Sequence, residues 1–232
     1  VLNSKLELNE AGDDGGAIFM MWTKRNHIVW HTEFKSNKAG NQGGAVLIGD
    51  SYGNVKFFNS EFESNEAGSD GGAIMIWDSP GDVSFLSSEF KSNKAENSNG
   101  GAVSIWHSSG NMTFLDSEFE SNMADSDGGA VSIWYSSGDM RFLASEFKSN
   151  EAGGKGGAVS NWGSSGNVMF LASEFKLNDG GEGGAVSISS MSSGSVSLLA
   201  SSFARNVAAY GGAINLGWIE STLINNCTIE EN

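Results

Sequence analysis

A single motif pair recurs along the whole chain at an almost fixed interval, and this restricts the fold to a stack of equivalent units. A Gly-Gly-Ala-Ile/Val box occurs eight times, with its second glycine at Gly16, Gly44, Gly72, Gly101, Gly129, Gly157, Gly184 and Gly212. A phenylalanine followed three residues later by asparagine occurs seven times: Phe34/Asn37, Phe62/Asn65, Phe90/Asn93, Phe119/Asn122, Phe147/Asn150, Phe175/Asn178 and Phe203/Asn206. Degenerate copies, Leu6/Asn9 and Ile229/Asn232, frame the series, and the interval stays between 26 and 29 residues. Self-similarity at such a period marks a solenoid, in which each unit buries its apolar face against the next.

The insertions separate turns from packed segments. From the second glycine to the following phenylalanine the distance is 18 residues in each of the first six copies. Between asparagine and the glycine pair it varies, and the stretch from Asn93 to Gly100 is one residue longer than its equivalents. A stretch that accepts insertions is a surface turn. The later copies relax, with one extra residue absorbed at 189–194 and a turn lost near Gly217.

Within a copy the apolar period is two. In Ala102-Val103-Ser104-Ile105-Trp106, Val and Ile share one face while Ala, Ser and Trp share the other. Met112 and Phe114 point inward in a second run, and Phe119 between Glu118 and Glu120 does so in a third. Short alternating runs separated by Ser-Gly, Asp-Gly or Gly-Asn are strands and turns, and no stretch carries a helical period. The expected fold is an all-β, right-handed parallel β-helix of about eight coils, about 28 residues per coil, with three short strands each. Residues 1–232 form one such domain, read as a segment of a longer protein because the chain starts and stops inside repeats.

Stacking turns every repeat position into a column. The Phe and Val/Ile columns fill the interior. The Asn column (Asn37, Asn65, Asn93, Asn122, Asn150, Asn178, Asn206) is expected to form a structural amide ladder along the stack. The glycine pairs fit a tight turn that needs positive φ or close backbone approach. A ladder of like charges, Glu33, Glu61, Glu89, Glu118, Glu146 and Glu174, stands beside Lys35, Glu63, Lys91, Glu120, Lys148 and Lys176. Sign alternation in the second column lets each lysine sit diagonally between glutamates of its own and adjacent coils, which sets coil register more than stability. Trp77, Trp106, Trp134 and Trp162 form one further column, with Gly49, Ser189 and Gly217 in the same position elsewhere. These indoles either cap coil corners over the Ser-Ser-Gly turn, the favoured reading, or form an exposed surface recognition column.

Composition sets the remaining bounds. A net charge of −15 argues against nucleic acid as a partner. No apolar run is long enough to cross a membrane, so no membrane insertion by this segment is expected. His27, His31 and His107 are too scattered for a metal centre or a catalytic triad. The lone Cys227 excludes an internal disulfide and is read as a small buried hydrophobe. Asn111-Met112-Thr113 and Asn226-Cys227-Thr228 are glycosylation sequons. The carboxylates repeat regularly, and none is singled out as a general acid or base. Arg25, Arg141 and Arg205 are the only arginines and lie far apart in repeat position, unlike the basic residue and acidic metal cluster of a β-helical lyase. Ice binding would want flat threonine arrays, for which the outward Ser104, Ser132, Ser160 and Ser187 are a thin substitute.

The paired signature GGA[ILV] and FxxN resembles the repeats of the chlamydial polymorphic outer-membrane proteins and related β-helical surface proteins of bacteria and algae. The resemblance covers nearly the whole chain and implies a surface-exposed passenger β-helix with adhesive or structural roles. The function expected is therefore a non-catalytic structural or adhesive β-helix of an extracellular surface or filament, with no cofactor and no metal. Its expected partners are protein, through end-to-end self-association or another subunit, with carbohydrate as a further candidate. A carbohydrate-binding or polysaccharide-cleaving β-helix is the alternative.

Overall fold

The computed structural model describes residues 1–232. All regular structure is β, and every strand pairing is parallel, between equivalent residues of adjacent coils. One coil shows the plan: strands Val103–Trp106, Met112–Leu115, Glu118–Glu120 and Met123–Ala124. Their equivalents stack into sheets of eight, eight, nine and six strands. The expected three strands per coil thus become four over the first six coils. The additional strand has two residues, Lys38–Ala39 or Glu66–Ala67 for example. A two-residue strand is too short to show an alternating period, so sequence pattern cannot reveal it.

Each long strand ends at a corner built by the same device, a left-handed residue followed by a buried polar one. Asp50, Asp78, His107 and Tyr135 turn the first corner, Asn59, Ser87, Asp116 and Ala144 the second, and Ser36, Ser64, Ser92 and Ser121 the third, with φ between 44° and 56°. This backbone is costly for residues with a Cβ, roughly 1–2 kcal/mol each. The next residue recovers much of that by ordering the turn. Ser108 Oγ donates to the Trp106 carbonyl (3.1 Å) and accepts from the Ser79 amide (3.2 Å). Ser117 does the same at the second corner, with Leu115 (3.1 Å) and Ser88 (3.4 Å). Cys227 stands in this serine column and is only half-buried, its Sγ donating to the Leu198 carbonyl at 3.2 Å. It takes the place of a hydroxyl while packing against the core as a partly buried residue, so it is less buried than expected.

The third corner carries the asparagines. Asn65 Nδ2 donates to Asn93 Oδ1 (2.9 Å) and to the Phe34 carbonyl (2.9 Å), while the Asn65 amide donates to the same Asn93 Oδ1 (3.0 Å). This pattern repeats from Asn9 to Asn232, with Nδ2 to Oδ1 distances of 2.8–3.0 Å. Inside the column both donors and both acceptor sites of each side chain are used, which allows a buried amide without penalty.

The two glycines of the box do different work. Gly100 adopts φ +68°, whereas Gly101 packs so closely on the next coil that a Cβ would lie 2.1 Å from the Gly129 carbonyl oxygen. The chain bends there before the strand begins, which swings the following alanine inward. Ala102, placed by alternation on the outer face, is instead in the core with its equivalents Ala73 and Ala130. The core itself is two phenylalanine columns faced by the Val/Ile columns. Phe62, Phe90 and Phe119 stack with ring centroids 4.7–4.8 Å apart, and Phe85, Phe114 and Phe142 at 4.9–5.0 Å. The columns meet edge to face at 5.4–5.7 Å. The stacking distance matches the spacing of sheet strands, about 4.8 Å, so rings and backbone share one repeat.

One core residue breaks the rule. Asn161 lies between Ile133 and Ile188 in the inner isoleucine column, is 1% exposed, and leaves both side-chain polar atoms without a partner. The two kinds of buried asparagine are expected to respond oppositely to removal. Asn161→Ile should stabilise the chain by about 1–3 kcal/mol by removing unsatisfied groups. Asn122→Ala should destabilise it by at least about 3 kcal/mol, because the Asn93 amide and Nδ2 both lose their shared acceptor, Asn122 Oδ1, inside the stack. Denaturant midpoints of the two variants check both signs.

Candidate functional site

The outer surface of the first sheet departs most from a neutral repeat. Two columns face outward there. The middle one runs Phe19, Leu47, Met75, Ser104, Ser132, Ser160, and the other runs Met21, Gly49, Trp77, Trp106, Trp134, Trp162. The serines are not a solvent array. Ser104, Ser132, Ser160 and Ser187 are all buried, because the glycine turn of the same coil folds back over them, and a Cβ at Gly100 would sit 2.9 Å from Ser104 Cβ. The outward placement of these serines by alternation is corrected on that ground.

The tryptophans project past this covered row. Trp77 is 38% exposed, and Trp106, Trp134 and Trp162 are half-buried. Trp106 and Trp134 stack at 5.9 Å and 25°, and Trp134 meets Trp162 at 5.2 Å and 48°. Beside them, at the corner, His107 stacks on Tyr135 (5.4 Å, 11°), whose ring edge meets Trp162 at 4.8 Å. Tyr135 can lie there because the next corner residue is Gly163, where a Cβ would come 2.7 Å from the tyrosine ring. The core does not need these indoles as a lid. Ile48 and Ile188 are fully buried in coils where Gly49 and Ser189 stand in the column.

Where the column breaks, a groove opens. Gly49 lets Met21 fold across it, since a Cβ at Gly49 would lie 2.2 Å from Met21 Sδ. Phe19, Met21, Leu47, Trp77 and Trp106 line an open groove of about 300 Å³, with Asp14 and Gln42 on one wall. Asp14 is fixed by the Asn41 side-chain amide (3.0 Å) and the Gln42 backbone amide (3.1 Å), both donating to its Oδ1. Sequence reasoning singled out the tryptophans but missed Phe19, Met21, Leu47, Asp14, Gln42 and Tyr135. The available signal was the run Ile18-Phe19-Met20-Met21, in which the outward positions are as large as the inward ones.

The indole nitrogens divide. Trp134 Nε1 donates to Ser132 Oγ (3.0 Å), whereas Trp106 Nε1 and Ser104 Oγ are both buried and unpaired. Trp106 instead forms a wall of the groove.

The charged columns lie on the third sheet. The glutamates from Glu33 to Glu174 are in register, as expected. The lysines do not sit diagonally. Lys35 pairs straight along its column with Glu63, and Lys148 with Glu120 (2.6 Å). Lys91 turns sideways to Glu89 of its own coil (2.7 Å). Direct column pairing is shorter than any diagonal, because register partners are the nearest side chains on a parallel sheet. Lys148 holds the Glu120 carboxyl below its ordinary value through their hydrogen bond. Burial pushes Asp127 up, against the opposing hydrogen bond from the Lys155 amide.

No group of three or more His, Cys, Asp or Glu side chains converges on a point that could hold a metal. His31 Nε2 lies 3.3 Å from Asn59 Nδ2, and His27 Nε2 is buried without a partner. Asn111 is exposed, its Oδ1 accepting from the Asp139 amide (3.0 Å), and Asn226 is an exposed left-handed corner residue. No family model, no curated protein and no solved structure matches this chain.

Two outcomes follow from these geometries. Ser132→Ala should cost about 1 kcal/mol, while Ser104→Ala should be neutral or slightly stabilising, because only the first loses a bond; thermal melts compare them. The two perturbed acids should give opposite pH signatures. Glu120, with its folded pKa lowered, contributes stability above its ordinary value of 4.5 that is lost as pH falls through the folded pKa. Asp127, with its folded pKa raised above 3.8, costs stability at neutral pH and is relieved by protonation. At neutral pH Glu120→Gln should therefore be less stable than the parent by at most about 1 kcal/mol, and Asp127→Asn more stable. Both differences should shrink as pH falls through the folded pKa of each parent acid. Melting temperatures across pH 3–7 provide the check.

Proposed function

We propose that this chain is a non-catalytic structural and adhesive β-helical module of an extracellular surface or filament, and that it takes a carbohydrate on its aromatic face. The observation that carries this reading is the groove at Gly49. There, partly exposed Trp77 and Phe19 stand with Met21, Leu47 and Trp106 around a floor beside the fixed carboxylate of Asp14. Apolar ring faces with one or two oriented polar groups suit a sugar, whose CH-rich face stacks while its hydroxyls hydrogen-bond. The column continues as Trp134 and Trp162 in adjacent coils, so a chain of sugars has further rings to lie on. The resemblance of the repeat to surface β-helices supports the same setting.

The carboxylates favour a structural role over catalysis. They stand in ladders or ion pairs, and the site acid Asp14 is held by backbone and side-chain amides in the manner of a turn residue. The test is titration of the wild-type chain and of a Trp77→Ala/Trp106→Ala variant with soluble oligosaccharides chosen from an array. Binding should fall at least tenfold, and Trp77→Ala alone, at the exposed position, should weaken binding while shifting stability by no more than about 0.5 kcal/mol. Equal binding by the variant rejects the aromatic site. Release of shorter sugars on incubation with the wild-type chain, abolished by changing one Asp or Glu, rejects the non-catalytic reading.

A further inference from the structure

The second sheet carries an outward apolar column that neither the repeat signature nor the proposed glycan face accounts for. It runs in register from Trp30 and Phe58 into leucine at every coil from Leu86 to Leu199. Leu115 and Leu171 are 40% and 39% exposed. A single surface leucine is unremarkable, whereas seven large apolar residues in one unbroken line form the kind of patch that marks an interface. The adjoining corner column becomes apolar in the last three of these coils. Asn59, Ser87 and Asp116 give way to exposed Ala144, Ala172 and Ala200, all left-handed.

The flanks differ in charge, two cations in an otherwise uncharged column on one side and a glutamate column on the other. On one side of the column lie Lys56 and Arg141, outward on the strands that carry Phe58 and Leu143. On the other, just around the corner, lie Glu61 and Glu146. Arg141 is drawn to Asp139 of its own coil at 2.6 Å, while Lys56, Glu61 and Glu146 make no ion pair within the chain.

We propose that this face pairs two copies of the chain side by side and parallel, about a two-fold axis running along the rod beside the leucine column. That axis reverses left and right across the interface but preserves height. It therefore sets the leucine ridge of one copy over the alanine corner of the other, and the cationic flank over the anionic one. Lys56 then faces the partner copy's glutamate of the same coil, Glu61, and Arg141 faces the partner copy's Glu146. An antiparallel pair would set cation against cation, which opposes that arrangement. The identical repeat, about 4.8 Å, keeps every coil in step with its counterpart. The face extends roughly 30 Å along the rod and roughly 17 Å across, from the strand rise per residue. That is about 500 Å² per copy and about 1,000 Å² in total, at the lower bound for a specific interface, so association should be concentration-dependent.

Sedimentation equilibrium of the wild-type chain over a wide concentration range tests this directly. The expected result is a reversible monomer–dimer equilibrium, with Leu171→Lys reducing the association constant at least tenfold while the thermal melt is unchanged. Charge exchange then tests the geometry. Lys56→Glu/Arg141→Glu and Glu61→Lys/Glu146→Lys should each weaken self-association, and an equimolar mixture of the two should restore it. A wild-type chain that stays monomeric throughout overturns the proposal. Association untouched by Leu171→Lys overturns it too, by placing the contact elsewhere, such as the coil ends. Failure of the mixture to recover overturns the parallel arrangement. None of these variants touches the aromatic groove, so sugar binding and pairing stand or fall separately.

Discussion

Between the end coils, a side chain in a strand or corner has equivalents about 4.8 Å above and below it, and that single condition selects the residue types. A residue can occupy a column only if it is a good neighbour to itself. Asparagine qualifies because its amide both donates and accepts, so each Nδ2 meets the Oδ1 of the next coil and the column closes without leftover groups. Serine qualifies for the same reason at the other corners. Phenylalanine qualifies by offset stacking, in planes tilted by as little as 1°. Carboxylates do not qualify, and the structure shows how they are tolerated. They are placed outside, where water screens them, with lysines interposed in the adjoining column.

The same condition explains the corners. A coil of short strands needs sharp bends, and left-handed backbone supplies them at a cost for most residues. A buried ladder residue directly after each bend offsets that cost, because its bonds run along the stack and to the strand just ended. The glycine box is a place where no side chain serves, as is the glycine that closes the first corner turn at Gly81, Gly110, Gly138 and Gly166. In the box the second glycine approaches the neighbouring coil more closely than any Cβ would permit. This is why the box and the Phe-Asn pair are the visible signature, while the serine corners, which tolerate threonine and cysteine, leave a weaker trace.

Fold and coil count were legible from these motifs because stacking makes them obligatory. What alternation misjudged were the places where the chain is not a straight ribbon. Ala102 turned inward and Ser104 was covered, both because the Gly100–Gly101 turn doubles back against the strand it introduces. A period of two assumes two faces, one core and one solvent, and here the outer face is partly roofed by the same coil. The tryptophan column was visible in sequence, but its relation to the core was not. That required seeing Ile48 and Ile188 sealed in coils that have no indole.

The groove itself could not be read from the repeat, because it exists where the repeat fails. A perfect array would present the same surface at every coil and single out no position along the rod. Specific features here arise from exceptions. Gly49 in the tryptophan column makes room for Met21, and Gly163 at a corner makes room for Tyr135. Such substitutions cost little, since the ladders that hold the coil run through other columns and are unaffected by them. Asn161, inside the isoleucine column, shows the contrasting case, an exception in a load-carrying column that leaves two polar atoms stranded. Variation is therefore cheap on the outer columns and expensive on the inner ones. A rod of this kind can acquire a recognition surface by losing side chains from its outer columns while its core ladder stays intact.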